Sequence, residues 1–138
     1  MRLLEGKRAV VTGAGGGIGR AHARLLAAHG AAVVGNNVHA ARAAAVVAEI
    51  GAAGGSAVAN GDSIATRAGA EALIAACVDA FGGIELLVNN AGNLRDRSFL
   101  KMSDEEFDAV WLVHVTGTFS RAHGAARPQP ASGPGGEG

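Results

Sequence analysis

The stretch that decides the fold is TGAGGGIG, residues 12–19. It ends a short run of β-branched residues, RAVVT, and opens an alanine-rich stretch with helical spacing. Glycines at such a junction let the chain turn tightly, let the backbone approach a pyrophosphate without an intervening Cβ, and let the helix pack against the strand. We therefore expect Gly13, Gly17 and Gly19 to form a dinucleotide-binding turn.

The start of the helix supplies the second half of this argument. Its free N–H groups and partial positive charge face the phosphates, which places the backbone N–H of Ile18 near the pyrophosphate. The alternative is a tight strand-to-helix turn that binds nothing, and the flanking strand and helix make that alternative the less favoured one. A P-loop is excluded because no Gly-Lys-Ser/Thr sequence follows the glycines.

The rest of the chain alternates strand-like and helix-like segments. This alternation is typical of βαβ units and a parallel sheet, and therefore of an α/β fold. We predict strands at 8–12, 32–36, 56–60 and 85–89. If the sheet is doubly wound, these strands take the order 3-2-1-4 across it. We predict helices at 18–29, 40–50 and 66–81, closed by Gly30, Gly51 and Gly82.

A longer helix is predicted beyond the fourth strand, followed by a change in composition. Ser103 and Glu106 have the spacing of a capping box, and apolar residues then recur at helical intervals. All three prolines and five glycines fall within the last 17 residues, where no large apolar side chain is present. We predict a partial domain over 1–121, with about four strands and five helices, and a disordered tail over 122–138.

Composition excludes several classes of function. The 138 residues carry twelve basic and twelve acidic side chains, so no net charge attracts nucleic acid or a membrane surface. No signal peptide or long apolar segment is visible, and we expect a cytoplasmic protein. The single cysteine, Cys77, cannot form an internal disulfide or a metal cluster, and its apolar helical neighbours predict a buried side chain.

A second contact with the dinucleotide is expected where the second strand ends. A carboxylate there would bind the adenosine ribose of NAD, but this strand ends in Asn36 and Asn37. The amide of Asn37 can bond a hydroxyl, yet it has no charge to repel the 2′-phosphate of NADP, and Arg42 follows in the next helix. NAD and NADP both stay candidates, and we favour NAD.

Asp62, just past the third strand, has two interpretations of equal weight. Its carboxylate could accept a hydrogen bond from the adenine amino group. It could instead cap the helix that follows or close the turn after the strand.

With TGAGGGIG, the Asp62-Ser63 pair and the tetrad NNAG at 89–92 in place, the chain resembles the short-chain dehydrogenase/reductase family over about residues 5–121. The resemblance implies a doubly wound Rossmann sheet of roughly twice this length. It also implies that Asn90, Ala91 and Gly92 hold the fourth strand beside the cofactor. The run from NNAG to Phe119 is further similar to the 3-hydroxyacyl-CoA dehydrogenase part of peroxisomal multifunctional enzymes and their bacterial relatives.

This resemblance implies reversible hydride transfer between a nicotinamide ring and a secondary alcohol or ketone, with a 3-hydroxyacyl-CoA as candidate substrate. It implies a serine, a Tyr-x-x-x-Lys pair and a helical relay residue, of which only the relay position maps here, at His114. The alternative for His114 is a core histidine between Trp111 and Thr118. The chain contains no tyrosine, and its lysines are Lys7 and Lys101, so we expect it to be an inefficient dehydrogenase by itself.

Three interpretations follow from this break in the pattern. The first is an NAD(P)-dependent oxidoreductase of this family, present as an N-terminal fragment and able to form a homo-oligomer only at full length. The second is a non-catalytic module that binds a dinucleotide or a partner. The third is an unstable product with no function. We favour the first, and expect the free edge of the fourth strand to promote aggregation.

Overall fold

A parallel sheet of four strands forms the centre of the computed structural model, which describes residues 2–93 and 95–127. The strands are β1 (Arg8–Thr12), β2 (Ala32–Asn36), β3 (Ser56–Asn60) and β4 (Leu86–Val88), in the order β3-β2-β1-β4. The predicted order and the bounds of β1, β2 and β3 are confirmed.

The fourth strand is shorter than the predicted 85–89. Only Leu86–Val88 pair with β1, opposite Ala9, Val10 and Val11. At its far end the Asn90 N–H donates to the Val88 carbonyl at 3.0 Å, which closes a tight turn and ends the strand. Among the described residues β4 pairs with β1 alone, so it is an edge of this sheet.

Five α-helices flank the sheet or follow it. They are α1 (Gly17–Ala28), α2 (Ala40–Ala52), α3 (Arg67–Phe81), α4 (Asp104–Trp111) and α5 (Gly117–Ala125). A π-helical turn, Leu112–Thr116, joins α4 to α5 without a break, and a 3₁₀ turn, Phe99–Lys101, precedes α4.

Local chemistry sets most of the helix ends. Gly30 and Gly82 follow α1 and α3 in the left-handed region, at φ of 98° and 86°. Thr66 caps α3 by accepting from the Gly69 N–H, and Ser103 and Glu106 make both bonds of the predicted capping box. The prediction that Gly51 closes α2 is wrong, because the helix continues to Ala52 and the left-handed glycine is Gly54, at φ 84°.

Two apolar cores form on opposite faces of the sheet. Val11 and Val33 face α1 and α2, where they pack with Ala23 and Ile50. Their neighbours Val10 and Val34 face the other side, because side chains alternate along a strand. There they pack with buried residues of α3, which are Leu73, Ile74 and Cys77. Helices on both faces of a parallel sheet make this a Rossmann-like, doubly wound half-domain.

The carboxyl-terminal part of the chain is described only to Arg127. Helix α5 extends to Ala125, four residues past the predicted boundary at 121. Most of the predicted tail, 128–138, lies outside the described residues, so the division of the chain at 121 stays a prediction. No helix in the described part of the chain is long and apolar enough to span a bilayer.

Candidate functional site: a cleft at the carboxyl ends of the strands

A cleft of about 530 Å³ opens where β1, β2 and β4 end. This edge of a doubly wound sheet is where ligands bind, and the volume lies in the range of small-molecule sites. The lining comes from the glycine turn, from the segment after β2 and from the segment after β4. Its residues are Gly13, Gly16, Gly17, Asn36, Asn37, Val38, His39, Arg42, Asn90, Ala91 and Gly92.

A second groove, of about 620 Å³, lies between the last turns of α1 and α2, at the amino ends of the strands. It is larger, but it contains none of the predicted site residues. We therefore place the functional site at the cleft.

The three glycines of the turn are needed for different reasons. Gly13 has φ of +64°, and a Cβ there would lie 2.9 Å from Asn90 Nδ2 and 3.0 Å from Ala91 Cα. A Cβ on Gly19 would lie 2.1 Å from the Gly13 carbonyl oxygen, so this glycine lets α1 pack against the turn. Gly17 has φ of +51°, and its Cβ position is open, with nothing within 4 Å. Gly17 therefore leaves room at the mouth of the cleft.

The start of α1 is suited to an anion. Gly16 is the N-cap residue and has no side chain to accept a hydrogen bond from the first turn, and no acidic residue lies in that turn. The first N–H groups of a helix carry a partial positive charge and need acceptors. Together with the open space at Gly17, this arrangement fits the pyrophosphate of a dinucleotide.

A pair of side chains joins the ends of β1 and β4. The Thr12 hydroxyl accepts from the N–H groups of Asn90 and Ala91, at 3.1 and 3.0 Å, and donates to the Val88 carbonyl at 3.3 Å. In return the Asn90 side-chain amide donates to the carbonyls of Thr12 and Gly13, at 3.1 and 3.4 Å. Asn90 therefore acts on the cleft by fixing its walls, and its amide N–H groups are already engaged.

The segment after β2 forms another side of the cleft. Asn37 closes a turn by accepting from the His39 N–H at 2.9 Å, and it lies in the lining. The neighbouring Asn36 is buried and donates to Asn60 Oδ1 at 2.8 Å and to the Asp62 carbonyl at 2.9 Å. The lining includes Arg42 but no carboxylate, so the described lining residues place no negative charge at this side of the cleft.

Asp62 lies outside this lining. Its N–H donates to Asn60 Oδ1 at 3.0 Å, and its carboxylate accepts from Asn60 Nδ2 at 2.8 Å. Helix α3 is capped by Thr66. Of the two structural roles weighed for Asp62, these bonds match the closing of the turn, and the adenine contact stays a prediction.

His114 lies in the π-helical turn and is exposed, so the second of its two alternatives, a core histidine, is wrong. Its Nε2 lies 3.1 Å from the Asn93 N–H and 2.9 Å from the Asn93 carbonyl oxygen. The ring can accept from the first or donate to the second, according to which nitrogen holds the proton. A Cβ on Gly92 would lie 2.7 Å from His114 Cε1, so His114 packs directly behind the cleft wall.

The structure brings six of the predicted site residues together in the cleft: Gly13, Gly17, Asn37, Asn90, Ala91 and Gly92. Four others lie outside its lining: Ile18, Gly19, Asp62 and His114. Ile18 is 69% exposed at the first turn of α1, and Gly19 is buried behind Gly13. Val38 and His39 line the cleft but were missed, because only their position after the end of β2 could have indicated them.

No group of three or more His, Cys, Asp or Glu side chains that could hold a metal occurs within residues 2–93 and 95–127. Cys77 is buried, as predicted, and its Sγ lies 3.2 Å from the Gly83 carbonyl.

The family model for short chain dehydrogenases matches residues 7–136, which is nearly the whole chain. This chain belongs to the short-chain dehydrogenase family. The match continues past residue 121, where the resemblance seen in the sequence ends.

Two relatives carry the narrower resemblance. The peroxisomal multifunctional enzyme type 2 of Mus musculus is 46% identical over 125 residues, covering 84% of this chain and 17% of that protein. A hydroxyacyl-CoA dehydrogenase of Mycobacterium tuberculosis is 52% identical over 128 residues, covering 89% of this chain and 40% of that protein. The similarity to multifunctional enzymes and bacterial hydroxyacyl-CoA dehydrogenases is therefore confirmed.

Solved structures share the fold. A short chain dehydrogenase from Mycobacterium avium superposes with a TM-score of 0.87 at 48% identity, covering 90% of this chain and 48% of that one. One from Burkholderia cenocepacia, solved in complex with NADP, gives 0.87 at 40% identity, covering 91% and 51%. The chain thus spans about half the length of these structures, and less of the two relatives above.

Proposed function

We propose that the cleft binds the adenosine and pyrophosphate part of a nicotinamide dinucleotide. The observation that carries this proposal is the open glycine turn at the start of α1, where neither a side chain nor an acidic residue competes for the first N–H groups. Membership of the short-chain dehydrogenase family and the NADP complex of the Burkholderia relative support it.

For the cofactor itself, we propose that the cleft accepts both NAD and NADP. The amide of Asn37 can bond a ribose hydroxyl, which keeps NAD the cofactor to test first. Arg42 in the same lining, with no carboxylate beside it among the described residues, also admits a 2′-phosphate.

The reaction we propose is the family's: hydride transfer between the nicotinamide and a secondary alcohol or ketone, with a 3-hydroxyacyl-CoA as substrate. The hydroxyacyl-CoA dehydrogenase and the multifunctional enzymes support this substrate class. His114 would serve as a proton-relay residue, since its Nε2 contacts both a backbone donor and a backbone acceptor at Asn93. The 138 residues contain no tyrosine, so the tyrosine that the family resemblance implies as general acid is not among them.

That lack of tyrosine favours a second candidate, a dinucleotide-binding module without catalysis. Assay of the 138-residue chain with NADH and acetoacetyl-CoA tests the second candidate, because turnover would exclude it. Binding without turnover is expected of both candidates, since the chain contains no tyrosine, and it would support the dinucleotide binding that they share. We propose the cytoplasm as the compartment, although the mouse relative compared above is peroxisomal by name.

The binding proposal is tested by titrating NADH and NADPH into the chain by calorimetry. We expect Gly17→Val to weaken binding at least tenfold, because the new side chain fills the open space beside the helix start. The matched control is Gly54→Val, which has the same kind of left-handed backbone, φ 84°, and an open Cβ position far from the cleft. Equal loss in both variants, or unchanged affinity in Gly17→Val, would refute the pyrophosphate placement.

A further inference from the structure

Arg121 is a fully buried cation that the proposed chemistry does not use. It lies in α5 with 0% of its surface exposed and outside the lining of the cleft. Its Nε donates to Asn89 Oδ1 at 2.6 Å, its Nη2 to the Thr118 hydroxyl at 3.3 Å, and its Nη1 to the Ile64 carbonyl at 3.5 Å. All three acceptors are neutral, and no ion pair joins Arg121 to a carboxylate in the described part of the chain.

Such a location is unfavourable for a charge. Taking a guanidinium out of water costs free energy that neutral acceptors return only in part. Burial lowers the pKa of Arg121 to about 10, so the group still carries its charge near neutral pH. An apolar side chain would fill the same space at a lower cost in free energy. We therefore look for the role of Arg121 in the segments that its hydrogen bonds connect.

The bonds of Arg121 connect α5 to two loops at the carboxyl edge of the sheet. Asn89 follows β4 directly and precedes Asn90, whose amide holds the carbonyls of Thr12 and Gly13. Ile64 follows β3 in the loop that leads into α3. Asn89 itself lies outside the lining, so its contact with Arg121 does not compete with a ligand in the cleft.

A glycine allows this close approach. A Cβ on Gly117 would lie 2.5 Å from the Ile64 carbonyl oxygen and 2.8 Å from Arg121 Nη1. Contacts this short do not occur for real side chains, so α5 reaches the loop only because residue 117 is glycine. The arginine and the glycine, four residues apart on one face of the helix, form a single contact with the loop.

We propose that Arg121 is a positioning residue for the dinucleotide cleft, which holds the wall formed by Asn90 and Ala91 in place through its bond to Asn89. The inference rests on the proposed dinucleotide binding. Without this bond the turn after β4 is free to shift, and the Thr12–Asn90 pair no longer fixes both walls. The predicted result is weaker cofactor binding from a residue that does not touch the cofactor.

The test is a double-mutant cycle on NADH affinity in the full 138-residue chain, with Arg121→Met, Asn89→Ala and the double variant. We expect each single change to weaken NADH binding about tenfold, and the double variant to be no weaker than Arg121→Met, because both changes remove the same bond. Asn89→Asp keeps an acceptor opposite the guanidinium, so its affinity should stay within twofold of the unsubstituted chain. Additive effects, or an unchanged affinity in Asn89→Ala, would overturn the proposal.

A control and a second readout separate positioning from general stability. Ile74→Val loosens the α3–α5 contact without touching Arg121, and its NADH affinity should be unchanged. Amide hydrogen exchange at Asn90 and Ala91 should quicken in Asn89→Ala and not in Asn89→Asp, even if Arg121→Met fails to fold. If the unsubstituted chain binds no NADH, the proposed function fails, and the hydrogen-exchange measurement alone then tests the positioning role of Arg121. Equal protection of Asn90 and Ala91 in the two Asn89 variants would overturn that role.

Discussion

The glycine turn shows how much a single missing Cβ can determine. Gly17 and Gly19 are two residues apart, yet one faces open space and the other faces the Gly13 carbonyl oxygen. Under the proposed function, a change at Gly17 acts on the ligand in addition to straining a left-handed backbone position, whereas a change at Gly19 acts on the fold alone.

We expect Gly19→Ala to destabilise the chain by about 1–3 kcal/mol, because the added Cβ overlaps the Gly13 carbonyl and forces α1 away from the turn. Gly51→Ala is the control, since that helical glycine has open space around its Cβ position and alanine is favoured in a helix by about 0.5–1 kcal/mol. Urea denaturation followed by far-UV circular dichroism measures both. A Gly19→Ala midpoint at or above that of the unsubstituted chain would contradict the packing role.

Asn37 gives a prediction about cofactor choice. Asn37→Asp retains an oxygen to accept from the His39 N–H, and it places a negative charge at the ribose side of the cleft. We expect NADPH affinity to fall about tenfold relative to NADH, since a carboxylate repels the 2′-phosphate. Arg42→Gln should also lower the ratio of NADPH affinity to NADH affinity, because it removes the cation in the lining. Calorimetric titration of both cofactors checks this, and an unchanged ratio in both variants would place the adenosine ribose elsewhere.

Sequence reasoning found the residues whose chemistry is local. The glycine spacing and NNAG indicated Gly13, Gly17 and Asn90, which lie in the cleft. It missed Thr12 and Arg121, because their roles depend on bonds to residues 78 and 32 positions away in the chain. A threonine at the end of a strand and an arginine in a helix carry no local signal of such bonds.

At the scale of elements, the short strand β4 is held by one side-chain pair at each end. Thr12 and Asn90 fix the carboxyl end. At the amino end, Glu85 accepts from the Arg8 backbone N–H at 2.7 Å and from Arg8 Nε at 3.0 Å, and a third bond joins its carboxylate to the guanidinium. Three paired residues would hold a strand poorly without these additions.

The Arg8–Glu85 pair makes stability depend on pH. The hydrogen bonds that the Glu85 carboxylate accepts from Arg8 lower the pKa of Glu85 below its ordinary value of 4.5. Because the pKa of Glu85 is lower in the folded state, ionised Glu85 stabilises that state fully at pH values above 4.5. This contribution is lost as the pH falls through the lowered pKa of the folded state. We expect Glu85→Gln to cost about 1 kcal/mol at pH 7, discounted for partial exposure of the pair.

Thermal denaturation across pH 3 to 7 measures this difference. The cost of Glu85→Gln should shrink as the pH falls through the lowered pKa of Glu85, because the carboxylate of the unsubstituted chain then becomes protonated as well. Glu5→Gln is the control, because the Arg2–Glu5 pair is well exposed, at 61% and 65%, and should change stability little at any pH. A cost that stays constant with pH would assign the effect of Glu85→Gln to packing.

Elements were predictable where the pattern is local and repeated. Short runs of β-branched residues identify β1 and β2, and the capping box identifies the start of α4. The extent of β4 and of α2 could not be predicted. The Asn90 N–H that closes the turn after β4 also bonds the distant Thr12 hydroxyl, and Gly54, not Gly51, supplies the left-handed residue after α2.

At the scale of the whole molecule, the two cores decide whether this chain folds by itself. The core on the side of α1 and α2 consists mainly of alanine and valine, whereas the core on the side of α3 also contains larger side chains, which are Ile64, Leu73, Ile74 and Ile84. Several large side chains stay on the surface along α4 and α5, among them Phe107, Trp111 and Phe119, which are 53%, 50% and 58% exposed. The helical spacing of α4 predicted the helix correctly, but spacing alone does not say what covers its apolar side.

Cys77 reports on the integrity of the core between the sheet and α3. It is fully buried, and burial raises the pKa of its thiol to about 11, so the reactive thiolate is scarce at neutral pH. We expect Ellman's reagent to label the native chain at least 100-fold more slowly than the urea-unfolded chain, with the rate rising through a cooperative transition. Immediate labelling in native buffer would support the interpretation that the chain is an unstable product.

The π-helical turn between α4 and α5 carries a spare residue. A π turn contains one more residue than the α turn it replaces, and each residue of an α-helix rotates the chain by about 100°. Removing one residue from Leu112–Thr116 would therefore convert the π turn to an α turn and keep the face that α5 presents to the loop. Removing one residue from α5 ahead of Arg121 would instead rotate this side chain away from Asn89 and Ile64, its two acceptors outside the helix. A single-residue deletion should therefore be tolerated better within the π turn than within α5.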